Sequence, residues 1–320
     1  MLTNGAKSTT GENCLKVTAL AGGVGAARFL TGLTQAMSPE NLTVIVNTGD
    51  DITLHGLHIS PDIDIVTYTL AGIVDETKGW GIKNDTFQCL DMLKAYGAEA
   101  WFNLGDRDLA THIYRTNRLR QGAKLTQVTD EIRRQLGVRA RILPMSNDHF
   151  ETRVKTPTGS IHFEEYFVKR QCKDDFLGVD FLGEDQAKPA PGVLQAISEA
   201  DLLVVCPSNP VVSIGTILSI VSVRDALRRA KARAVAVSPI VAGATIKGPA
   251  DRMLRGLGFE VSALGIAKFY SDFLDALVID VKDVSLKEPI KKLGLDVTVT
   301  NTVMKSLDDK VALARAVLHA

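Results

Sequence analysis

The chain has 320 residues, is 45% hydrophobic and 23% charged, and carries 37 basic and 37 acidic side chains. This composition allows one large α/β unit with a sizeable core. The balanced charge excludes a global field for nucleic acid or anionic lipid, and no apolar run reaches the roughly 20 residues that span a bilayer. The expectation is a soluble cytoplasmic protein that binds neither nucleic acid nor membrane.

Residues 1–14 are polar, without the basic and apolar regions of a signal peptide, and read as a disordered tail. An apolar strand near 15–20 then runs into Ala21-Gly22-Gly23-Val24-Gly25-Ala26-Ala27-Arg28 and a helix over 25–37. A strand near 42–47 ends in Asn47-Thr48-Gly49-Asp50-Asp51. Ser60-Pro61 opens a helix over 63–73, with serine as N-cap, proline at the first helical position, and Asp62 complementing the dipole. A helix over 84–96 and a strand near 100–104 precede Gly105-Asp106-Arg107-Asp108, where Asp106 or Asp108 is placed to cap a helix over 108–121. Arg115-Thr116-Asn117-Arg118-Leu119-Arg120 on that helix reads as a solvated face. A helix over 126–136 and a strand near 140–143 complete the first half.

Phe150–Lys169 reads as a β-hairpin turning at Pro157-Thr158-Gly159-Ser160. A polar stretch over 171–192 follows. The second half alternates again, with strands near 201–206, 233–238, 259–264 and 276–280 and helices over 214–230, 249–257 and 306–318. The fold class is therefore α/β, a Rossmann-like, mostly parallel sheet with helices on both faces. One domain spans 15–320, in halves 15–145 and 195–320, separated by a β-hairpin/helical insertion over 146–194. Cys14, Cys89, Cys172 and Cys206 have no metal spacing and read as free thiols.

In open α/β sheets ligands lie beyond the carboxyl ends of strands. The glycine turn after the first strand fits either a packing turn or a loop that a phosphate or ring approaches closely. Its arginine at the third glycine position departs from the dinucleotide fingerprint. Cys206-Pro207-Ser208-Asn209-Pro210 offers the Ser208 and Asn209 amides from a rigid turn, with Ser213 nearby. Ser238-Pro239-Ile240 repeats the idea, and Lys247 adds a mobile positive charge. Asp50-Asp51 and Asp62-Ile63-Asp64 supply carboxylates from neighbouring loops. Beside phosphates these suit Mg²⁺, which takes one or two protein carboxylates.

These motifs, with Trp80-Gly81-Ile82-Lys83-Asn84-Asp85-Thr86 and Leu104–His112, occur in register in one family. From about residue 16 onward the chain resembles the 2-phospho-L-lactate transferases of deazaflavin coenzyme F-420 biosynthesis. The resemblance implies a Mg²⁺-dependent homodimer. Such an enzyme moves phospholactate or phosphoenolpyruvate from a guanylylated phospho-acid to the ribityl hydroxyl of Fo, a deazaflavin, and releases GMP. It implies Asp50 and Asp64 as catalytic residues and metal ligands. It places Gly22, Gly23, Asn47, Thr48, Asp50, Asp64, Asn103, Arg107 and His112 on the Fo side. Gly25, Arg28, Pro207, Ser208, Asn209, Ser213, Ser238 and Lys247 fall on the donor side. Trp80 is a candidate wall for the deazaflavin ring. Competing readings are an NAD(P)-dependent oxidoreductase and a non-catalytic nucleotide sensor.

Overall fold

Val17, Ala19 and Ala21 of the first strand enter one buried core, and Leu20 enters another on the opposite face. Leu42, Val44 and Val46 of the next strand repeat the alternation against Ile45. Strands apolar on both faces must be covered on both, which is the demand of a parallel sheet between helix layers. The computed structural model describes residues 15–320, so the predicted tail over 1–14 lies outside the described residues.

Seven strands form the central sheet: β1 (Val17–Ala21), β2 (Leu42–Val46), β3 (Arg141–Pro144), β4 (Leu202–Val205), β5 (Arg233–Val237), β6 (Ala276–Asp280) and β7 (Asp296–Thr300). They lie in the order 3-2-1-4-5-6-7, and every pairing is parallel. This is the doubly wound Rossmann order carried one strand further, and it reverses direction between β1 and β4. Helices α1 (Gly23–Ala36) and α2 (Pro61–Leu70) cover one face together with Leu307–Leu318. The helices between 193 and 270 cover the other. Two further helices, α3 (Gln88–Ala95) and α4 (Asp106–Arg120), lie outside the sheet layers.

Several local expectations differ from the structure. Residues 100–104 form a loop, because β3 takes the place beside β2. Residues 259–264 are not a strand; Ser262 caps a helix over Ala263–Tyr270 by accepting from the Gly265 N–H at 3.0 Å. Ala263, Ile266, Ala267 and Tyr270 are buried at helical spacing. β7, unpredicted, is an edge strand of alternating polar residues that are only partly buried. The helix expected over 214–230 is broken at Ile220.

The insertion is a three-stranded antiparallel sheet of Glu151–Thr156, Gly159–His162 and Gly178–Leu182, with the first strand central. Its second strand stops at His162, where the expected hairpin gives way to a π-helical turn over Glu165–Lys169. Phe163 and Tyr166 are buried there, a spacing that suits a helical turn and not a strand.

Candidate active site

A cavity of about 780 Å³ opens beyond the carboxyl ends of the strands. It lies where the strand order reverses, between the loops after β1 and β4. The sheet therefore brings together Gly22, Gly23, Gly25 and Arg28 from one turn and Pro207, Ser208, Asn209 and Ser213 from the other. Asp50, Asp64, Asn103, His112, Ser238 and Lys247 also line it. Asn47, Thr48 and Arg107 do not.

Two close approaches explain the small residues. A Cβ on Gly25 would lie 2.3 Å from the Pro207 carbonyl oxygen, and one on Gly22 would lie 2.7 Å from Asp62 Oδ2 and from Ser213 Cβ. The Gly22 N–H donates to Ser208 Oγ at 3.3 Å, joining the two turns. Helix α1 has no side-chain cap of its own, and its first turn lines the cavity. Free N–H groups at the positive end of a 14-residue helix are a seat for an anion. In the second turn, Asn209 Oδ1 accepts from Val211 N and Val212 N, which orders the helical segment that follows. The Ser238 hydroxyl is used within its own turn, donating to the Ile240 carbonyl.

Asn47 stands behind the wall and organises the acids. Its Nδ2 donates to Asp50 Oδ2 at 3.0 Å and to Asp62 Oδ2 at 2.9 Å. Asp62 Oδ1 accepts from the Gly23 N–H at 2.8 Å, so Asp62 caps α1 across the site. The serine expected to cap α2 does not do so; the Ser60 hydroxyl donates to Asp51. Glu164, from the insertion, is buried and lines the same cavity. Burial, then repulsion from Asp62, pushes the Asp50 carboxyl well above its usual range. Burial lifts Asp62 to about 6 against its bonds from Asn47 and Gly23. Burial and the neighbouring Asp62 and Asp51 lift Glu164 to about 8. None of the three forms an ion pair among the described residues, and buried Asp50 Oδ1 has no hydrogen-bond partner.

Asp64 sits differently. One guanidinium, that of Arg115, takes both of its carboxylate oxygens. Arg115 belongs to the stretch read as a solvated face, yet it is 1% exposed. Arg115 Nη1 also donates to His112 Nδ1 at 3.2 Å, which leaves the His112 proton on Nε2, 3.3 Å from Asp108 Oδ1. Tyr68 donates to Asp108 Oδ1 at 2.7 Å, so a connected polar wall runs from Asp64 to Tyr68. Burial raises the Asp64 carboxyl, and Arg115, then His112, draw it back.

Two other motifs interlock as caps. Asp106 accepts from the Gln88 and Cys89 N–H groups of α3, and Asp85 accepts from the Arg107 and Asp108 N–H groups of α4. Asp106 thus caps the preceding helix and not its own. The Arg107 side chain is exposed away from the cavity. The sequence reading put Asp62 in the acidic cluster but gave it no site role of its own, and it left out Glu164, Phe163 and Phe167, together with the Thr302–Lys305 segment after β7; all of these line the cavity.

The reversed strand order, the two small-residue turns and the facing acids define an α/β protein with its candidate site at the topological switch point. A family model described as 2-phospho-L-lactate transferase CofD matches residues 17–311. The phosphoenolpyruvate transferase of Streptomyces griseus is 45% identical over 313 residues, covering 95% of this chain and 98% of its own. The 2-phospho-L-lactate transferase of Methanosarcina mazei is 40% identical over 299 residues, covering 93% and 98%. The chain belongs to the CofD family of 2-phospho-L-lactate transferases. A crystal structure of a UPF0052 family member from Bacillus halodurans shares the fold, with a TM-score of 0.62 at 17% identity, covering 94% of this chain and 98% of that one.

Proposed function

We propose that the protein transfers a phosphorylated small acid, 2-phospho-L-lactate or phosphoenolpyruvate, from a guanylylated donor to the ribityl hydroxyl of Fo. GMP leaves, and the reaction serves coenzyme F-420 biosynthesis. The observation that carries this reading is the Asp50–Asn47–Asp62 bridge, which sets two buried acids, without a cationic partner among the described residues, between two phosphate-type turns. The family relatives named for both acids support the transfer class.

The donor diphosphate is assigned to the α1 N-terminus and the Pro207–Asn209 turn, with Lys247 and Arg28 facing its charge. The acceptor enters from the side of α2, α4 and the insertion. Its ribityl oxygen attacks the donor phosphorus as the bond to GMP breaks, so positioning and charge stabilisation do most of the work. The hydroxyl proton passes to a carboxylate of the Asp50, Asp62 and Glu164 group. Asp50 and Asp62 fit Mg²⁺ better than the Asp50 and Asp64 expected from the family resemblance, since Arg115 already holds both Asp64 oxygens. Among the described residues no three metal-binding side chains converge, which suits an ion completed by phosphate oxygens and water. Mg²⁺ held there would supply positive charge to the donor phosphates. A homodimer and a cytoplasmic location complete the proposal.

The test is a mass-spectrometric transfer assay with Fo, Mg²⁺ and each guanylylated acid in turn, following GMP release. A phospho-acyl Fo from one donor supports the reading and names the acid. No product from any donor, with no Fo bound, rejects it.

A further inference from the structure

We propose that the stacked Phe163–Phe167 pair of the insertion is the platform for the flat ring of the acceptor, and that Phe167 is the side chain that touches it. The inference rests on the transfer reading above and deepens it by assigning the ring to one end of the cavity.

The two ends differ in what they touch. On one, a Cβ on Gly79 would lie 3.2 Å from Lys247 Nζ and 3.6 Å from Val24 Cγ1. The loop that carries Trp80 therefore lies beside Lys247 and the start of α1, where the donor phosphates are placed. Trp80 belongs to the nucleotide end, although the sequence made it the candidate for the acceptor ring. At the other end, Glu164 lines the cavity on the turn that His162 ties to the Asp51 carbonyl. A ring bound at that end meets the insertion.

The insertion presents a flat surface there. The Phe163 and Phe167 rings stack, with centroids 5.6 Å apart and planes 7° from parallel. Phe163 is seated in the core at 7% exposed, whereas Phe167 is 38% exposed while lining the cavity. A buried ring thus supports a second ring whose free surface is left to a ligand. An aromatic ligand stacked on it buries apolar area and gains the offset-stacking contact.

The platform is held to the site at three points. The Thr152 N–H donates to the Gly49 carbonyl at 2.6 Å. His162 joins the Asp51 carbonyl through Nε2 at 3.2 Å, while its Nδ1 accepts from the Glu164 N–H at 3.0 Å. Lys169 Nζ bonds Glu99 Oε1 at 3.0 Å and lies 5.7 Å from the Trp101 ring centre, tying the insertion to the loop that brings Phe102 and Asn103 to the wall. Such anchoring fixes the platform before the acceptor arrives.

The test uses the full chain and Fo, with equilibrium binding followed by the fluorescence of the conjugated ring and GDP binding measured in parallel. Phe167→Ala is expected to weaken Fo binding and raise the KM for Fo by about tenfold, with GDP affinity unchanged. Phe167→Tyr, which keeps a flat ring, is expected to retain Fo affinity. Trp80→Ala is expected to leave Fo affinity at the wild-type value. Unchanged Fo affinity in Phe167→Ala, or a loss in Trp80→Ala without one in Phe167→Ala, overturns the assignment alone. A wild-type protein that binds no Fo overturns both this assignment and the transfer reading.

Discussion

Asp64 and Arg115 meet between α2 and α4, and a single guanidinium holds both carboxylate oxygens while neither side chain reaches water. Asp64 lines the cavity with Arg115 behind it, yet their charges are spent on each other. The pair's first role is to fix α4 against α2 and so hold His112 and Asp108 in the cavity wall.

Removing one partner leaves the other charge buried and alone. Arg115→Met is expected to destabilise the protein by about 3–5 kcal/mol, because the desolvated Asp64 loses its counter-ion. The double variant Asp64→Leu/Arg115→Met is expected to recover most of that loss, since neither charge is then buried. Urea denaturation of the three proteins measures both. A double variant no more stable than Arg115→Met alone rejects the ion-pair account.

The bridged acids make a different prediction. Asp50→Asn or Asp62→Asn is expected to lower the transfer rate by about 10²–10³-fold, the scale of losing one preorganised charge contact. GDP binding measured without metal is expected to hold in Asp50→Asn, because Asp50 bonds Asn47 and not the donor turns. Equal loss of GDP affinity and turnover would place these acids in nucleotide binding and not in transfer.

Glu164 gives the pH dependence. Its folded value of about 8 lies above the ordinary carboxyl value of 4.5, so the folded state binds the proton more tightly than the unfolded one. The metal-free protein therefore has the full benefit below pH 4.5 and loses it as pH rises through 8. Glu164→Gln removes this group from the balance. In chelator, its melting temperature relative to wild type is expected to be level near pH 4.5 and to rise progressively toward pH 8. A difference independent of pH over that range counts against a buried, uncompensated Glu164.

Gly25 tests the contact between the two turns. Gly25→Ala would put its Cβ 2.3 Å from a backbone oxygen, that of Pro207. The backbone must separate there, at a cost of about 1–3 kcal/mol typical of overpacking, and GDP affinity is expected to fall about tenfold. Calorimetry with and without GDP reads both effects. Wild-type GDP affinity in this variant would show that the turns need not touch to hold the nucleotide.

Much of the site was legible because each central strand announces its end in local chemistry. Gly22–Gly25, Asn47–Asp51 and Pro207–Asn209 are turns that follow apolar runs, and a parallel sheet carries all such ends to one side. Asp62 was obscured by a sufficient local reason: an acid just after Pro61 suits the start of its own helix, whereas the structure turns it toward Gly23 of α1. Arg115 was hidden by its neighbours, since Arg118 and Arg120 do face outward and periodicity alone does not reveal a buried carboxylate partner. Glu164 and Phe167 reach the cavity only through the anchoring of the insertion, a long-range contact with no local signature. Thr302–Lys305 follows β7, whose polar alternation at the sheet edge gives a weak strand signal.

The seating of α1 has a consequence for biosynthesis. A Cβ on Gly32 would lie 2.1 Å from the Lys310 carbonyl oxygen, so helix Leu307–Leu318 lies directly against α1. Arg28 also donates to the Met304 carbonyl at 2.5 Å. A nascent chain that has emerged only as far as β6 has made the glycine turn but not the helix that backs it or the Thr302–Lys305 wall. A chain that ends before residue 302 therefore holds most of the motifs but lacks part of the cavity wall and the helix packed on α1.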